Sequence, residues 1–504
     1  MRGPLAEPVF GTTSVTLLTE GTYPHSHGGV SVWCDQLVQG MPDVDFRVIA
    51  VTGTGREPLA WELPANVHGV DCLPLWGPAT GRPPRRRELR RFLTGYERFL
   101  SALLDTRQDP WQERAFAEEL YGLAHFAERG TLSAALRTEA AVRALSRVWN
   151  RPHLPTAAAR PTLHDALTAT DLLEHALRPL VARPPSEGVT HAVSGGLPAL
   201  PGLLARERYG TPFLLTEHGV YLRERYLGFR TEPYRWPVKA LMLGFFRLLA
   251  RETYRRAALV TPGNRYNRRW EEHGGTPPER IRTVYNGVDP AAFPPAGPEP
   301  ETPTLSWAGR VDPIKGLETL IRAFALVRKE VPAARLRLFG GTPRGGEGYR
   351  TDCERLAADL DVGDAVTFEG RVEDIRDAYA AGNVVMLSSI SEGFPFTLIE
   401  AMSCGRATVS TDVGGVREAV GDSGLVVPPR DPERMARAAL KLLHDPALRA
   451  RMGEAARLRV IEQFTLRQTI SAFRDIYHEL AGARRPEAAP TSAPPMALAA
   501  GGAR

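Results

Sequence analysis

Ser391–Met402 (SEGFPFTLIEAM) follows closely on the apolar run 384–388 (VVMLS) in this chain of 504 residues. A continuous apolar run of this length is typical of a strand that is buried on both faces of a parallel sheet. Pro395 suits the start of a helix, where its missing N–H costs nothing, and Gly405 suits the end. The two segments therefore predict a buried strand, a loop and a helix, the repeating unit of a doubly wound α/β domain.

The same alternation of apolar runs and amphipathic helical patterns recurs on both sides of this unit. Such alternation is typical of a parallel sheet with helices on both faces. A linker rich in Pro and Ala, residues 290–303, divides the runs into two groups. The runs lie at 14–18, 46–51, 189–193, 213–216 and 258–261 before the linker, and at 304–308, 335–339, 365–368, 384–388, 407–410 and 425–427 after it.

The two groups predict two Rossmann-like, doubly wound α/β domains that face a cleft, where open α/β sheets bind their ligands. The first domain is expected at 12–290 and the second at 300–464. Residues 78–188 have helical periodicity and no strand pattern, so they are interpreted as a helical insertion in the first domain. A terminal helix is expected at 465–482, and the tail 483–504, rich in Ala, Pro and Gly, is expected to be disordered.

Composition and charge exclude several classes of protein. The formal net charge of +5 is small and the charges are interleaved, which argues against a nucleic-acid partner. No stretch approaches 18 consecutive apolar residues, and the first residues lack the pattern of a signal peptide, so neither feature is expected. The four cysteines show no CxxC pair and no metal-ligand spacing, which favours a reduced cytoplasmic compartment.

The helix predicted after Pro395 offers a site for a phosphate. Its free amides near Phe396–Leu398 form a positive helix terminus. Glu392 lies in the loop before this terminus, and Glu400 lies on the order of 6 Å beyond it at ~1.5 Å per residue. Two acceptors that flank a phosphate at this spacing suit a nucleotide sugar, one for the sugar hydroxyls and the other for the ribose. An acidic cap on an ordinary helix is the alternative.

Residues 309–316 (GRVDPIKG) follow the apolar run 304–308 and form a second candidate motif. Arg310 and Lys315 on such a strand-to-helix loop can converge on a diphosphate from one side. Only four of the 63 basic residues are lysine, so a lysine at this place is informative. Chance charges on a solvated loop are the alternative.

Two weaker motifs lie in the first group of runs. Gly28 and Gly29 stand at a helix entrance, where paired glycines let the backbone approach a ligand closely. His218 follows the run 213–216, and a histidine just past the carboxyl end of a strand can face the cleft. A plain turn and a structural histidine are the respective alternatives.

These motifs, with Asn286–Asp289 (NGVD), occur in an order along residues 14–480 that resembles glycosyltransferase family 4. That family contains retaining, nucleotide-sugar-dependent enzymes of the GT-B fold. Residues 20–31 (EGTYPHSHGGVS), residues 216–225 (TEHGVYLRER) and the helical insertion are similar to its PelF subgroup. PelF-like enzymes are cytoplasmic and work in exopolysaccharide synthesis, and UDP-glucose is their implied donor.

The resemblance implies a hexosyltransferase that moves glucose from UDP-glucose to a glycan or other hydroxyl acceptor, with no metal and no cofactor. Arg310 and Lys315 would stabilise the leaving diphosphate. Residues 370–372 would lie beside the base of the nucleotide, and residues 465–482 would cross back onto the first domain. The implied catalytic residues are His218, Arg310, Lys315 and Glu392, and the implied donor-binding residues are Gly28, Gly29, Gly309, Gly370, Arg371, Val372, Gly393, Phe394, Pro395, Phe396, Thr397 and Glu400.

Three other functions are alternatives to this one. A dinucleotide-binding enzyme is excluded because Pro58 stands at the third glycine position after residues 51–55 (VTGTG). Another GT-B enzyme, such as a nucleotide-sugar 2-epimerase, would need a water-activating acid/base pair that the sequence does not reveal. A membrane-surface assembly protein of a polysaccharide system could use the basic segments Arg82–Arg91 or Pro237–Arg256. Their plainer interpretations are a solvated helix start and a buried helix.

A carboxylate motif of the DxD type stands at Asp43–Asp45 (DVD) in the first domain. It precedes a predicted strand, whereas a metal–diphosphate site would follow one. The motif is therefore interpreted as a surface turn, and no metal site is expected.

Overall fold

The computed structural model describes residues 13–78, 81–105, 107, 109–151, 160–343 and 345–482. Their strands form two six-stranded parallel sheets, in the orders β3-β2-β1-β4-β5-β6 and β12-β11-β10-β7-β8-β9. The first sheet consists of β1 (Thr13–Glu20), β2 (Val44–Thr52), β3 (Val67–Pro74), β4 (Val189–Ala192), β5 (Phe213–Glu217) and β6 (Leu259–Pro262). The second consists of β7 (Thr304–Ala308), β8 (Arg335–Phe339), β9 (Val366–Gly370), β10 (Val384–Leu387), β11 (Ala407–Thr411) and β12 (Leu425–Val427).

Helices connect the strands and cover both sheets. The helices up to β6 are α1 (Gly29–Gln39), α2 (Arg86–Leu104), α3 (Pro110–Glu128), α4 (Leu132–Leu136), α5 (Glu139–Trp149), α6 (Leu163–Leu177), α7 (Ala199–Tyr209), α8 (Tyr221–Thr231) and α9 (Trp236–Arg256). Those after β6 are α10 (Arg265–His273), α11 (Leu317–Glu330), α12 (Glu347–Asp359), α13 (Arg376–Ala380), α14 (Phe396–Ser403), α15 (Val416–Val420), α16 (Pro432–His444), α17 (Pro446–Gln463) and α18 (Leu466–Gly482).

The architecture is the predicted pair of doubly wound α/β domains. Every apolar run in the sequence corresponds to a strand, and β3 is the strand that the runs do not reveal. Along Val67–Pro74 no residue is fully buried, because β3 lies at the edge of its sheet. A half-buried edge strand does not show the continuous apolar pattern of a central strand.

Helices α2 to α6 lie between β3 and β4, and α2, α3 and α6 pack on α9. Phe99 of α2 and Phe116 of α3 stack with ring centroids 5.4 Å apart, and Phe245 of α9 packs edge-on against both. These rings belong to one core that also contains Leu18 of β1 and Leu215 of β5. The helical segment and the first sheet therefore share one hydrophobic core.

The two basic segments have different surroundings. The arginines at the start of α2, at positions 85, 86, 87, 90 and 91, are exposed. Peripheral association of this face with a membrane stays a prediction. Helix α9, in contrast, is mostly buried, and Gly244 lies against the backbone carbonyl of Leu103 in α2. The interpretation of Pro237–Arg256 as a buried helix is therefore confirmed, because its apolar side chains fill the core of the first domain.

The last helix returns from the second domain to the first. Leu466 N donates to Val288 O (2.8 Å) and Val288 N donates to Phe464 O (2.9 Å), which joins the start of α18 to the segment just before the interdomain linker. Phe473 and Tyr477 are buried, and the Tyr477 hydroxyl lies 2.7 Å from Nδ1 of His191 in β4. Helix α18 therefore completes the core of the first sheet.

The domain limits 12–290 and 300–464 stay predictions. The tail 483–504, expected to be disordered, lies outside the described residues. In the part of the chain that the structure describes, no helix has the length and apolar character needed to cross a bilayer.

Phe473→Ala should destabilise the first domain, because its ring is 1% exposed and packs between Trp33 and His191. Truncation of a buried Phe costs about 3–5 kcal/mol in the free energy of unfolding. We expect a lower calorimetric unfolding midpoint. The control is Ile461→Ala on the exposed side of α17, where an effect within about 0.5 kcal/mol is expected. Equal midpoints for the two variants would contradict the packing of α18.

Candidate active site

The loop between β10 and α14 is pressed against the first domain. A Cβ atom at Gly393 would overlap the backbone carbonyl oxygen of His218, which follows β5. Beside it, Asn286 Nδ2 donates to Phe394 O (3.0 Å), and Arg223 Nη1 donates to Ser391 Oγ (3.0 Å). The carboxyl ends of the two sheets therefore meet at this loop, where α/β sheets bind ligands.

Lys315 and Glu392, predicted from two separate motifs, form an ion pair. Lys315 Nζ lies 2.6 Å from Glu392 Oε1, and the side chains are 20% and 10% exposed. Ser389 Oγ donates to the same carboxylate oxygen (2.5 Å). The pair brings a cation and an anion into the largely desolvated end of the second sheet, where each stabilises the charge of the other.

The local backbone around Lys315 fixes the position of its side chain. Asp312 accepts from the Ile314 N–H (3.0 Å) and opens a short 3-10 turn over Pro313–Lys315. Gly316 follows with φ of 61°, a conformation that favours glycine. Ser388 Oγ donates to Lys315 O (2.8 Å). The motif after β7 is thereby held against the end of β10, which explains how the predicted residues meet.

The amino terminus of α14 carries uncapped amides. Pro395 is the residue before the helix, and no side chain caps this end. The N–H groups of Leu398 and Ile399 turn back to Pro395 O, whereas Phe396 and Thr397 come first in the helix. Such a terminus attracts negative charge. Across the cleft, a Cβ on Gly29, at the start of α1 after Gly28, would lie 3.8 Å from the Phe396 ring.

Arg310 lies at the same edge of the second sheet. It follows Gly309, whose N–H donates to Phe339 O (2.9 Å) and so continues the β7–β8 pairing past the end of the strand. The Arg310 side chain is exposed, and it makes no hydrogen bond or ion pair with the described residues. It is therefore a free cation at the mouth of the cleft.

Glu400 and the residues predicted to lie beside the base share another part of this edge. The Tyr379 hydroxyl donates to Glu400 Oε2 (2.5 Å), and burial raises the pKa of Glu400 above its ordinary value. Gly370 ends β9, Arg371 is exposed, and Val372 packs against the cluster that contains Tyr379. One carboxylate oxygen of Glu400 is thus already occupied, which the sequence did not indicate.

His218 is the predicted catalytic residue that the first domain contributes. Its ring packs edge-on against Trp33 with centroids 4.7 Å apart. Its Nε2 is buried and has no hydrogen-bond partner among the described residues. Burial lowers the pKa of His218 to about 4, so the imidazole is neutral at pH 7. A neutral ring with an unpaired nitrogen can form one hydrogen bond with a ligand.

The sequence did not predict two buried carboxylates near His218, those of Glu217 and Glu271. Glu217 accepts from Gly195 N (3.0 Å) and from the Tyr254 hydroxyl (2.6 Å), and burial raises the pKa of Glu217 to about 7. Burial and the nearby Glu217 raise the pKa of Glu271 to about 9, and both of its carboxylate oxygens lack partners among the described residues. Burial of acidic side chains leaves no mark in a sequence pattern.

Glu20 and Arg225, near the cleft, are two further residues that the sequence pattern does not single out, although both belong to segments that carry the resemblance. Glu20 ends β1, burial raises its pKa, and its Oε1 lies 3.5 Å from Arg225 Nη2. Arg225 itself lies over the ring of Tyr221, 4.6 Å from the centroid. The position of Glu20 directly after the first apolar run was the signal that could have identified it.

The carboxylate groups that could be considered for a metal lie elsewhere. Asp43 accepts from Arg474 (3.0 Å), and Asp45 is paired with His68 at the amino end of β2, away from the cleft edge. The surface-turn interpretation holds for Asp43, whereas Asp45 already lies within the strand. Among the described residues, one group of metal-ligand types, Asp171, Glu174 and His175, lies on α6. Glu174 of this group forms an ion pair with Arg178 (2.8 Å), which directly follows α6.

Two protein families match this chain. One is described as a domain of unknown function (DUF3492) and matches residues 13–279, and the other is described as Glycosyl transferases group 1 and matches residues 302–445. A D-inositol 3-phosphate glycosyltransferase of Salinispora arenicola is 32% identical, over 57% of this chain and 67% of the relative. Another, of Saccharomonospora viridis, is 34% identical over 41% of this chain and 52% of the relative.

Solved structures show the same arrangement of domains. Sucrose-phosphate synthase of Thermosynechococcus elongatus superposes with a TM-score of 0.60 and 21% identity, over 94% of this chain and 100% of the other. HepE of Anabaena superposes with a TM-score of 0.58 and 15% identity, over 92% and 99%. The fold is therefore GT-B, as predicted. The chain belongs to the glycosyltransferase group 1 family and is a glycosyltransferase enzyme.

Glu271→Gln should reduce the decrease in the free energy of unfolding that the wild type shows as the pH rises. In the folded protein the pKa of Glu271 is about 9, and in the unfolded chain the pKa lies near its ordinary value, so the folded state binds the extra proton between these values. The stability of the wild type should therefore fall as the pH rises from 6 to 9. We expect a smaller fall in the unfolding midpoint of Glu271→Gln.

The control for this experiment is Glu279→Gln, which changes an exposed carboxylate in the next segment of the chain. Its unfolding midpoint should follow that of the wild type at every pH. If Glu271→Gln also follows the wild type, then Glu271 is ionised in the folded protein and the assignment of its buried, protonated state is wrong.

Proposed function

We propose that this glycosyltransferase is a retaining, metal-independent enzyme that transfers glucose from UDP-glucose to a hydroxyl acceptor. The acceptor would be a growing exopolysaccharide or another cell-surface glycan, and the reaction would take place in the cytoplasm. The observation that carries this proposal is the meeting of Lys315, Glu392 and the uncapped end of α14 at the interdomain contact.

The diphosphate of the donor fits the positive groups of the second domain. Lys315 and Arg310 come from one loop, and the amides of Phe396 and Thr397 come from another. Negative charge grows on the distal phosphate as the glycosidic bond breaks. Fixed cations and helix dipoles at that position stabilise the transition state more than the ground state. This arrangement can stabilise the leaving group without a divalent ion.

The Lys315–Glu392 ion pair joins the two predicted motifs. Glu392 Oε1 accepts from Lys315 Nζ and from Ser389 Oγ. A bound phosphate would share the Lys315 ammonium, which has three N–H donors. Glu392 would then hold Lys315 in place and present its other oxygen to the sugar hydroxyls. The backbone of His218 lies against Gly393 of the same loop, and the unpaired ring nitrogen of His218 would bond to the sugar near the reacting carbon.

The nucleoside would extend toward Glu400. The Tyr379 hydroxyl orients one oxygen of this carboxyl group, and the other oxygen remains for the ribose hydroxyls. Gly370 ends β9, which lies at the edge of the same sheet, and residues 370–372 would contact the base. Burial of Glu400 strengthens such hydrogen bonds because little water competes for them.

The donor and the acceptor have definite first candidates. HepE of Anabaena was solved with UDP-glucose, so UDP-glucose comes first, followed by UDP-GlcNAc and GDP-mannose. The curated relatives named above act on D-inositol 3-phosphate by name, so this compound is the second acceptor to test after glycans. Release of free sugar without transfer to any acceptor would favour a different GT-B reaction.

Lys315→Ala should lower kcat about 10²–10³-fold, the loss typical for one group that stabilises developing negative charge. Lys329→Ala, an exposed lysine at the end of α11, is the matched control and should leave kcat unchanged.

Glu400→Ala should weaken UDP binding about tenfold, or ~1.4 kcal/mol. Glu392→Ala should chiefly lower the rate of transfer. Calorimetric UDP titration and a UDP-release assay measure these effects, and no change in any of the three site variants would contradict the site.

The anomeric configuration of the product tests the proposed mechanism. The acceptor hydroxyl would attack from the face that the diphosphate leaves, and the departing phosphate would take the hydroxyl proton. The new bond should therefore have the α configuration of UDP-glucose, which NMR spectroscopy of the first product measures. A product with the β configuration would contradict front-face retention and would require a base on the opposite face of the sugar.

A further inference from the structure

A cavity of about 530 Å³ lies between the loop after β3 and the helical segment α3–α6. Pockets that bind small molecules have volumes of about 300–1,000 Å³. None of the residues assigned to the donor lines this cavity. It is therefore a second concave site, and nothing in the proposed reaction at the interdomain contact uses it.

The cavity lies on the same edge of the first sheet as the cleft. Its floor includes Leu73 at the carboxyl end of β3 and Trp76 just beyond it. Trp76 N donates to Gly53 O (2.8 Å), which extends the pairing with the strand next to β3. β3 is two strands away from β1, which leads into Gly28, and this distance is about 10 Å at ~4.8 Å per strand. A chain-like acceptor could reach from the cleft to the cavity.

Trp76 supplies a flat aromatic surface at the cavity. The residue is 51% exposed, and its ring packs on His175 of α6 with centroids 4.6 Å apart. The contact fixes the indole orientation, although half of the residue remains accessible to solvent. Large exposed apolar rings of this kind are typical of binding surfaces.

Paired polar groups complete the lining. Arg178 Nη2 lies 2.8 Å from Glu174 Oε2, and the Glu174 side chain is fully buried. Ser133 Oγ donates to the other oxygen of Glu174 (2.6 Å). Arg56 is exposed at the loop after β2, and its side chain makes no bond within the described residues. The cavity thus combines an aromatic face with the guanidinium donors of Arg56 and with a Glu174–Arg178–Ser133 network that is held in a fixed geometry.

This combination suits a sugar ring better than a lipid or a nucleotide. A pyranose has an apolar face of C–H groups that stacks on an indole, and a rim of hydroxyls that both donate and accept. A purely aliphatic chain would offer no acceptor to the exposed guanidinium of Arg56. A phosphate group could pair with Arg56, but it would leave the apolar indole face of Trp76 without a partner.

We propose that this cavity binds sugar units of the acceptor chain that are remote from the hydroxyl that receives glucose. The proposal rests on the proposed function in so far as the acceptor is a glycan. Binding at a remote subsite holds the chain end in the cleft and contributes energy to positioning it. The helical segment thereby takes part in the choice of acceptor.

The test uses the full-length protein on an array of immobilised, chemically defined oligosaccharides. The wild type should bind one group of glycans, and Trp76→Ala should weaken this binding at least about tenfold. Trp76→Phe keeps an aromatic face and should retain most of the binding. The matched control is Trp236→Ala, another half-exposed tryptophan at the start of α9, which should bind as the wild type does.

Donor binding separates this proposal from the proposed function. All three variants should bind UDP as tightly as the wild type, because the cavity and the donor site have no residue in common. A wild type that binds glycans but does not use UDP-glucose would contradict the donor assignment and leave the cavity assignment standing. Absence of glycan binding by the wild type, equal binding by Trp76→Ala, or binding of a fluorescent fatty acid that Trp76→Ala abolishes would each overturn the cavity assignment.

Discussion

The close contact between Gly393 and the backbone of His218 is the constraint on which the site depends. No side chain fits between the second-domain loop and the carbonyl oxygen that follows β5. The carbonyl oxygen of Gly393 itself accepts a hydrogen bond from Gly415 N (2.8 Å), so the loop is also held within its own domain. Because the backbones touch at this point, groups from the ends of two different sheets can act on one small ligand.

Electrostatics divides the site between the two domains. The second domain supplies the cations Arg310 and Lys315 together with the positive end of α14, which suit the diphosphate. The first domain supplies a neutral His218, because burial lowers its pKa to about 4. A charged imidazole would compete with the diphosphate site for negative groups, whereas a neutral one offers only a hydrogen bond. Positive charge is therefore concentrated in the second domain, on the side of the leaving group, where the glycosidic bond breaks.

Much of the fold could be predicted because buried parallel strands appear as continuous apolar runs. β3 was missed since an edge strand is half exposed and lacks such a run. Lys315 could be recognised from its rarity in an arginine-rich chain, and Glu392 from its place before a helix start. Their ion pair could not be predicted, since the two residues are 77 positions apart and meet only through packing of β7 beside β10. The raised pKa values of Glu217 and Glu271 could not be predicted either, because they result from burial, which is a property of the folded chain.

The central claim is that the donor diphosphate binds at the α14 terminus beside Lys315. A crystal structure of the protein with UDP measures this most directly. We expect the distal phosphate to lie within hydrogen-bond distance of Lys315 Nζ and of the amides of Phe396 and Thr397, with the ribose at Glu400. A diphosphate bound elsewhere, with the Lys315–Glu392 pair intact and the α14 terminus facing water, would contradict it.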